Sequence, residues 1–151
     1  MDTELSAVKI EVRPAAARDA AAIARLAGEL GYPSTPEQMR DRLAAMENDP
    51  CHATFVAAIA GEEAIGWIHM SQIRSLTSGP RAEIINLVVD SRSRSAGTGR
   101  LLVEQGEEWA RERGLAVIGV RSNVVRERAH AFYLRLGYTV TKSQKIFRKA
   151  L

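Results

Sequence analysis

The stretch Glu83-Ile84-Ile85-Asn86-Leu87-Val88-Val89, followed at once by Asp90-Ser91-Arg92-Ser93-Arg94-Ser95-Ala96-Gly97-Thr98-Gly99, decides how the rest of the chain is read. Residues 84–89 form a short apolar run rich in β-branched side chains, which suits a buried strand. Residues 90–93 break that pattern. Residues 94–99 then open a helix expected to run to about Arg113, with Gly114 placed to end it. A glycine turn leading into a helix leaves backbone N–H groups unpaired and converging on one point. The helix dipole makes that point favour an anion, above all a phosphate. Gly97 and Gly99 carry no Cβ to hold a pyrophosphate away from the backbone. Taken alone, two glycines at such a turn fit tight packing at least as well.

The flanks change that balance. Arg94 with Gly97 and Gly99, directly after a strand ending Leu87-Val88-Val89, resembles the Arg/Gln-x-x-Gly-x-Gly/Ala signature of the GCN5-related N-acetyltransferases (GNAT superfamily). No Lys-Ser/Thr follows the second glycine, which excludes a Walker loop. The dinucleotide fingerprint needs a third glycine and an acidic residue about 20 positions on. A second stretch, Ala129-His130-Ala131-Phe132-Tyr133-Leu134-Arg135-Leu136-Gly137-Tyr138, matches the Ala-x-x-Phe-Tyr-x-x-x-Gly-Phe/Tyr segment of the same family. The two motifs agree in order and spacing, and the resemblance covers roughly residues 8–150.

The resemblance implies a mixed α/β (α+β) fold with a central, mostly antiparallel, splayed sheet and helices on both faces. It also implies direct transfer of acetyl from acetyl-coenzyme A to a primary amine. Backbone groups of Leu87, Val88 and Val89 would meet the pantetheine arm and the acetyl carbonyl. Arg94, Ser95, Ala96, Gly97, Thr98, Gly99 and Arg100 would hold the pyrophosphate, mainly by main-chain N–H, with Ala129 of the second motif also at the cofactor. Ser95-Ala96 replaces the family's usual basic, glycine-rich filling. The family asparagine usually sits seven residues before the tyrosine, where this chain has Arg126; Asn123 lies ten before, and either is open as the cofactor ligand.

Two catalytic roles follow. A hydroxyl beside the thioester sulfur can hydrogen-bond or protonate the departing thiolate, and Tyr133 holds the family position for that task. Its alternative is a place in the apolar stripe with Ala129 and Leu136. Glu83 resembles the glutamate that acts as general base in the histone-modifying branch; a surface pairing with Arg81 is the competing reading.

The rest of the chain supplies the frame. Its 151 residues, 46% of them hydrophobic, suit one domain with one core, so residues 1–151 are expected to form a single acetyl-coenzyme A-dependent domain. No apolar run approaches the ~20 residues that span a bilayer, and residues 1–4 carry no signal pattern. Cys51 is the single cysteine, which fits a cytoplasmic protein without an internal disulfide. The net charge of +3 is unevenly spread: residues 1–50 hold nine acidic and six basic side chains, residues 128–151 six basic ones and no acid. That bias suits a polyanionic cofactor. Nucleic acid is disfavoured by 5% aromatic content and the lack of any basic helix.

Residues 8–13 alternate as a strand, and residues 17–30 repeat apolar positions at helical spacing up to Gly31. Thr35-Pro36-Glu37-Gln38 is a helix start with a cap, a first-turn proline and the second half of a capping box. Residues 53–60 and 64–75 read as a hairpin, with Trp67 and His69 on one face and Ile68 and Met70 on the other. His69 is read by default as a cross-strand packing residue, with the lining of an acceptor pocket as its alternative. Gly106, on the buried face of the helix after the turn, predicts close contact with the sheet. Residues 115–120 read as a fifth strand, and residues 138–141 and 146–148 as a closing pair. The acceptor is expected to be a small-molecule amine, aminoglycoside- or polyamine-like, ahead of a protein amine. No metal, nucleic acid or membrane partner is expected, and a homodimer is left open. A non-catalytic acyl-coenzyme A sensor on the same fold is the alternative function, with a nucleotide-binding protein third.

Overall fold

The computed structural model describes residues 9–151, the side chains of Arg94 and Ser95 excepted. It divides into two units, the first ending at Val120 and the second covering Arg121–Leu151. Val8, at the head of the expected first strand, lies outside the described residues.

The first unit holds strands β1 (Ile10–Pro14), β2 (His52–Ile59), β3 (Ala64–Ile73), β4 (Arg81–Val89) and β5 (Ile118–Val120), in that spatial order. The first three ladders are antiparallel and β4–β5 is parallel. A parallel pair needs a long crossover, and helix α3 (Thr98–Glu112) lies within it. Helices α1 (Ala20–Glu29) and α2 (Pro36–Met46) come between β1 and β2. No helix among the described residues is long and apolar enough to cross a membrane.

Alternation along the strands sends side chains to two packed faces. Val56, Trp67 and Val88 stand side by side across β2, β3 and β4, and form one buried cluster with Ile23, Leu26 and Ala27 of α1 and Met39 of α2. Ile68 and Met70 point the other way, toward α3. There a Cβ added to Gly106 would sit 2.7 Å from Met70 Sδ and 3.3 Å from Ile68 Cδ1. The glycine expected to bring helix and sheet together does so. Thr35 accepts from Gln38 N (3.1 Å) and donates its own N–H to Gln38 Oε1 (3.0 Å), so the capping box at α2 is complete.

Two helix starts differ from expectation. Residues 17–19 form a 3-10 turn before α1, and residues 91–96 form another before α3, which begins at Thr98 instead of Arg94. The second break has a plain cause: Gly97 takes φ +78°, a left-handed conformation that no α-helix continues through.

The second unit contains helix α4 (Glu127–Arg135). The strands expected at 138–141 and 146–148 are not formed, and the described residues after Gly137 carry no regular structure. Val140, Ile146 and Phe147 are exposed to 76%, 81% and 89%, so the alternation that suggested strands covers no apolar face. A short strand pair without a third partner or a face to bury is marginal in water.

Candidate active site

The site is built outward from β4. Leu87, Val88 and Val89 pair with Ile68, Trp67 and Gly66 of β3, whereas the β4–β5 ladder covers only Ala82–Ile84 against Ile118–Val120. Leu87–Val89 therefore lie past the end of the parallel ladder. Asp90 follows and is 2% exposed. Its Oδ1 accepts from Arg92 N (3.0 Å) and Arg92 Nε (3.2 Å), and its Oδ2 from Arg92 Nη2 (2.9 Å) and from Arg25 Nη1 on α1 (3.4 Å). The side-chain hydrogen bonds of Arg92, then its backbone N–H, hold this carboxyl well below the usual carboxylate range against the opposing effect of burial. Asp90 thus caps the 3-10 turn that delivers the chain to Gly97. Sequence reading passed over it; the signal was an Asp followed by small and basic residues at the end of a strand, the composition of a side-chain-to-backbone turn.

At Gly97 a Cβ would meet no atom of the described residues within 4 Å, so its glycine serves the positive φ and, among the described residues, the space above the turn is open. The first hydrogen bond of α3 runs from Leu101 N to Gly97 O (3.1 Å). The N–H groups of Thr98, Gly99 and Arg100 precede the first carbonyl the helix itself can offer. Thr98 is wholly buried and its hydroxyl has no partner among the described residues. Open space, converging N–H groups and the positive end of a 15-residue helix fit a pyrophosphate. Arg100 is engaged with Glu104 on the helix surface (3.0 Å).

The opposite end of β4 carries Glu83. Its side chain would share a face with Ile85 and Leu87 were the strand regular. A bulge intervenes: His69 is opposite Asn86 and Met70 opposite Ile84, leaving Ile85 unpaired and 40% exposed. One inserted residue switches every later side chain to the other face. Glu83, 9% exposed, consequently sits in one cross-strand row with Ser71 of β3 and His52 of β2, on the α1–α2 side of the sheet. The neighbouring row is Thr54, His69 and Asn86.

His69 is not a lone packing residue. His52 Nδ1 and His69 Nε2 lie 2.9 Å apart, with ring centroids at 5.1 Å. Burial pushes the His69 imidazole down to about 4, with the neighbouring His52 adding to the shift, so it is neutral at pH 7. On its other edge His52 Nε2 is 3.9 Å from Asp49 Oδ2. His52 also forms part of the wall of a cavity of about 450 Å³, with Arg40 and Leu43 of α2, Glu47 just after it, and Thr54 and Phe55 of β2.

The remaining sequence-derived residues belong to the second unit. Tyr133 lies on α4, its ring 5.1 Å from that of Phe132 and 5.6 Å from that of Tyr138. Burial pushes its phenol up to about 12, against a smaller opposing effect of the Arg126 charge. Asn123 spends its side-chain oxygen on Val125 N (3.1 Å), and its carbonyl accepts from Arg126 N (3.0 Å) and lies 2.9 Å from His130 Nε2. Arg126 is the residue that precedes the first turn of α4, and Ala129 lies within that helix.

The chain is similar to known proteins. An aminoalkylphosphonate N-acetyltransferase from Salmonella typhimurium is 35% identical over 128 residues, 83% of this chain and 78% of that protein. An uncharacterized N-acetyltransferase from Bacillus subtilis is 34% identical over 76 residues, 50% of this chain and about half (52%) of that protein's length. The crystal structure of an aminoglycoside antibiotic 6'-N-acetyltransferase from Acinetobacter baumannii matches with a TM-score of 0.80 at 18% identity, over 95% of this chain and 99% of that one, a likeness of fold. The profile of the Acetyltransferase (GNAT) family matches residues 20–138, from the first residue of α1 to just beyond α4. With both motifs inside that span, the chain belongs to the GNAT family of acetyltransferases.

Proposed function

We propose that the protein transfers the acetyl group of acetyl-coenzyme A directly to the primary amine of a small molecule. The observation that carries this reading is the run from Leu87–Val89, past the end of the parallel ladder, through the capped turn at Asp90 to the left-handed Gly97 and the head of α3. Bound there, acetyl-coenzyme A supplies an activated thioester. The main chain at 96–100 holds its phosphates, and Leu87–Val89 offer backbone groups to the pantetheine amides. Glu83 lies four to six residues back along β4, about 13–20 Å at the rise of a strand. The bulge turns it to the α1–α2 face, where it draws in the acceptor's ammonium and takes its proton.

On the second family motif Tyr133 takes the leaving-group role. A phenol near 12 keeps its proton beside a thiol of pKa about 8.5, so it stabilises the departing thiolate by a hydrogen bond and stays protonated. The cavity beside His52 suits a small acceptor: about 450 Å³ lies within the range of small-ligand sites, and Arg40 and Glu47 put one charge of each sign on its wall. An amine that also carries an anionic group, the class in the Salmonella relative's name, fits that pair better than a bare polyamine. The test is release of free coenzyme A in the presence of aminoalkylphosphonates, aminoglycosides, polyamines and lysine peptides. Turnover with one of the small amines is expected. A melting temperature that rises with acetyl-coenzyme A while every amine stays unmodified would establish the sensor reading instead.

A further inference from the structure

A buried carboxylate that takes a proton in each turnover must hand it on before the next. Glu83 is 9% exposed, and the polar groups that share its face of the sheet run in one direction: across Ser71, itself 4% exposed, to the paired histidines of β3 and β2. The histidines are joined by a 2.9 Å contact between His69 Nε2 and His52 Nδ1. β3 lies between β2 and β4, so His69 has His52 on one flank and Asn86 and Glu83 on the other. His52 reaches the cavity wall and stands 3.9 Å from the Asp49 carboxylate.

Resting on the transferase reading above, we propose that His69 and His52 form a relay that carries the acceptor's proton from the Glu83 side of the sheet to Asp49 and solvent. The O–H bond of the protonated Glu83 carboxyl breaks, returning the carboxylate, as an N–H bond forms at His69 Nδ1; the His69 Nε2–H bond breaks in turn and its proton passes to His52 Nδ1. The His52 Nε2 proton then leaves to Asp49 or water, and exchange of the ring protons restores the starting tautomers. No electrons change hands. A group that titrates near 4 is a poor store for a proton but a suitable conduit, because it is emptied as soon as it is filled. Among the described residues, the charged groups around the pair are Asp49 before β2, Glu83 on β4, Arg40 on α2 and Glu47 just after it, with Arg81 further along β4 opposite Ile73.

The experiment compares the parent protein with His69→Gln and His52→Gln, using an acceptor found in the amine panel. Each variant is expected to lose roughly 100-fold in kcat below the amine's pKa, with the KM for acetyl-coenzyme A and the melting temperature close to the parent's. The deficit should shrink at pH values where the amine arrives uncharged, and added imidazole should restore turnover to His52→Gln from the solvent side. A parent-like kcat in both variants, or a loss indifferent to pH and to imidazole, would overturn the relay. A parent protein that binds acetyl-coenzyme A yet acetylates no amine would overturn the transferase reading itself, whereas a working parent alongside a working His69→Gln sinks the relay alone.

Discussion

Asp90, buried, and His69, half-buried, are both polar side chains of the first unit, and the protein treats them in opposite ways. Asp90 keeps its charge. Arg92 and Arg25 donate to both its oxygens, and its titration is driven down. His69 gives its charge up, and its partner is a second imidazole. A carboxylate ringed by guanidinium groups fixes a turn in one shape, since any other arrangement strands a charge. A neutral imidazole joined to its like can exchange tautomers without stranding anything. The first arrangement suits scaffolding and the second suits traffic in protons.

That contrast can be broken most forcefully on the Asp90 side. Asp90→Ala removes the cap of the turn and the anchor of Arg25, and is expected to lower the unfolding free energy by about 2 kcal/mol. Denaturant titration reads it, and a change within experimental error would mean that the turn holds itself. A smaller effect should appear in acid. The folded-state pKa of Asp90 lies below its unfolded value, so its contribution is complete above about pH 4 and is lost as pH falls toward the folded value. Asp90→Asn is expected to be less stable than the parent at neutral pH and to lose less on acidification. Parallel stability curves for the two proteins below pH ~4 would contradict the assignment. The least costly change is His69→Leu, which swaps a neutral ring for an apolar side chain and leaves the 29% exposed His52 to water. A loss under about 1 kcal/mol is expected; a loss exceeding that of Asp90→Ala would reverse the comparison.

The same pair shows what could be read from sequence. The strand before the turn, the capping box at Thr35 and the close packing of Gly106 were legible because each depends on neighbours within a few residues or on a periodic face. Gly97 was identifiable as part of the turn, but a glycine does not announce the sign of its φ. The helix was therefore expected to begin before it and begins after it. The ties that build the α1–α2 face are not local: His52 and His69 are 17 residues apart, and Arg25 and Asp90 are 65 apart. Only the β2–β3 register brings the histidines together, and only the bulge at Ile85 turns Glu83 toward their side. The expected strands at the C-terminus failed for the complementary reason, since alternation at Val140 and Ile146 carries no information about a partner.

The short β4–β5 ladder has a corollary for selectivity. Amide-bearing arms are the same in every acyl thioester of coenzyme A, so the grip proposed for the main chain of Leu87–Val89, past the end of that ladder, would grade none of them by chain length. Discrimination between a two-carbon cargo and a longer one would then fall to whatever crowds the far tip of the arm, with Asn86 and the exposed Ile85 the next residues back along the strand.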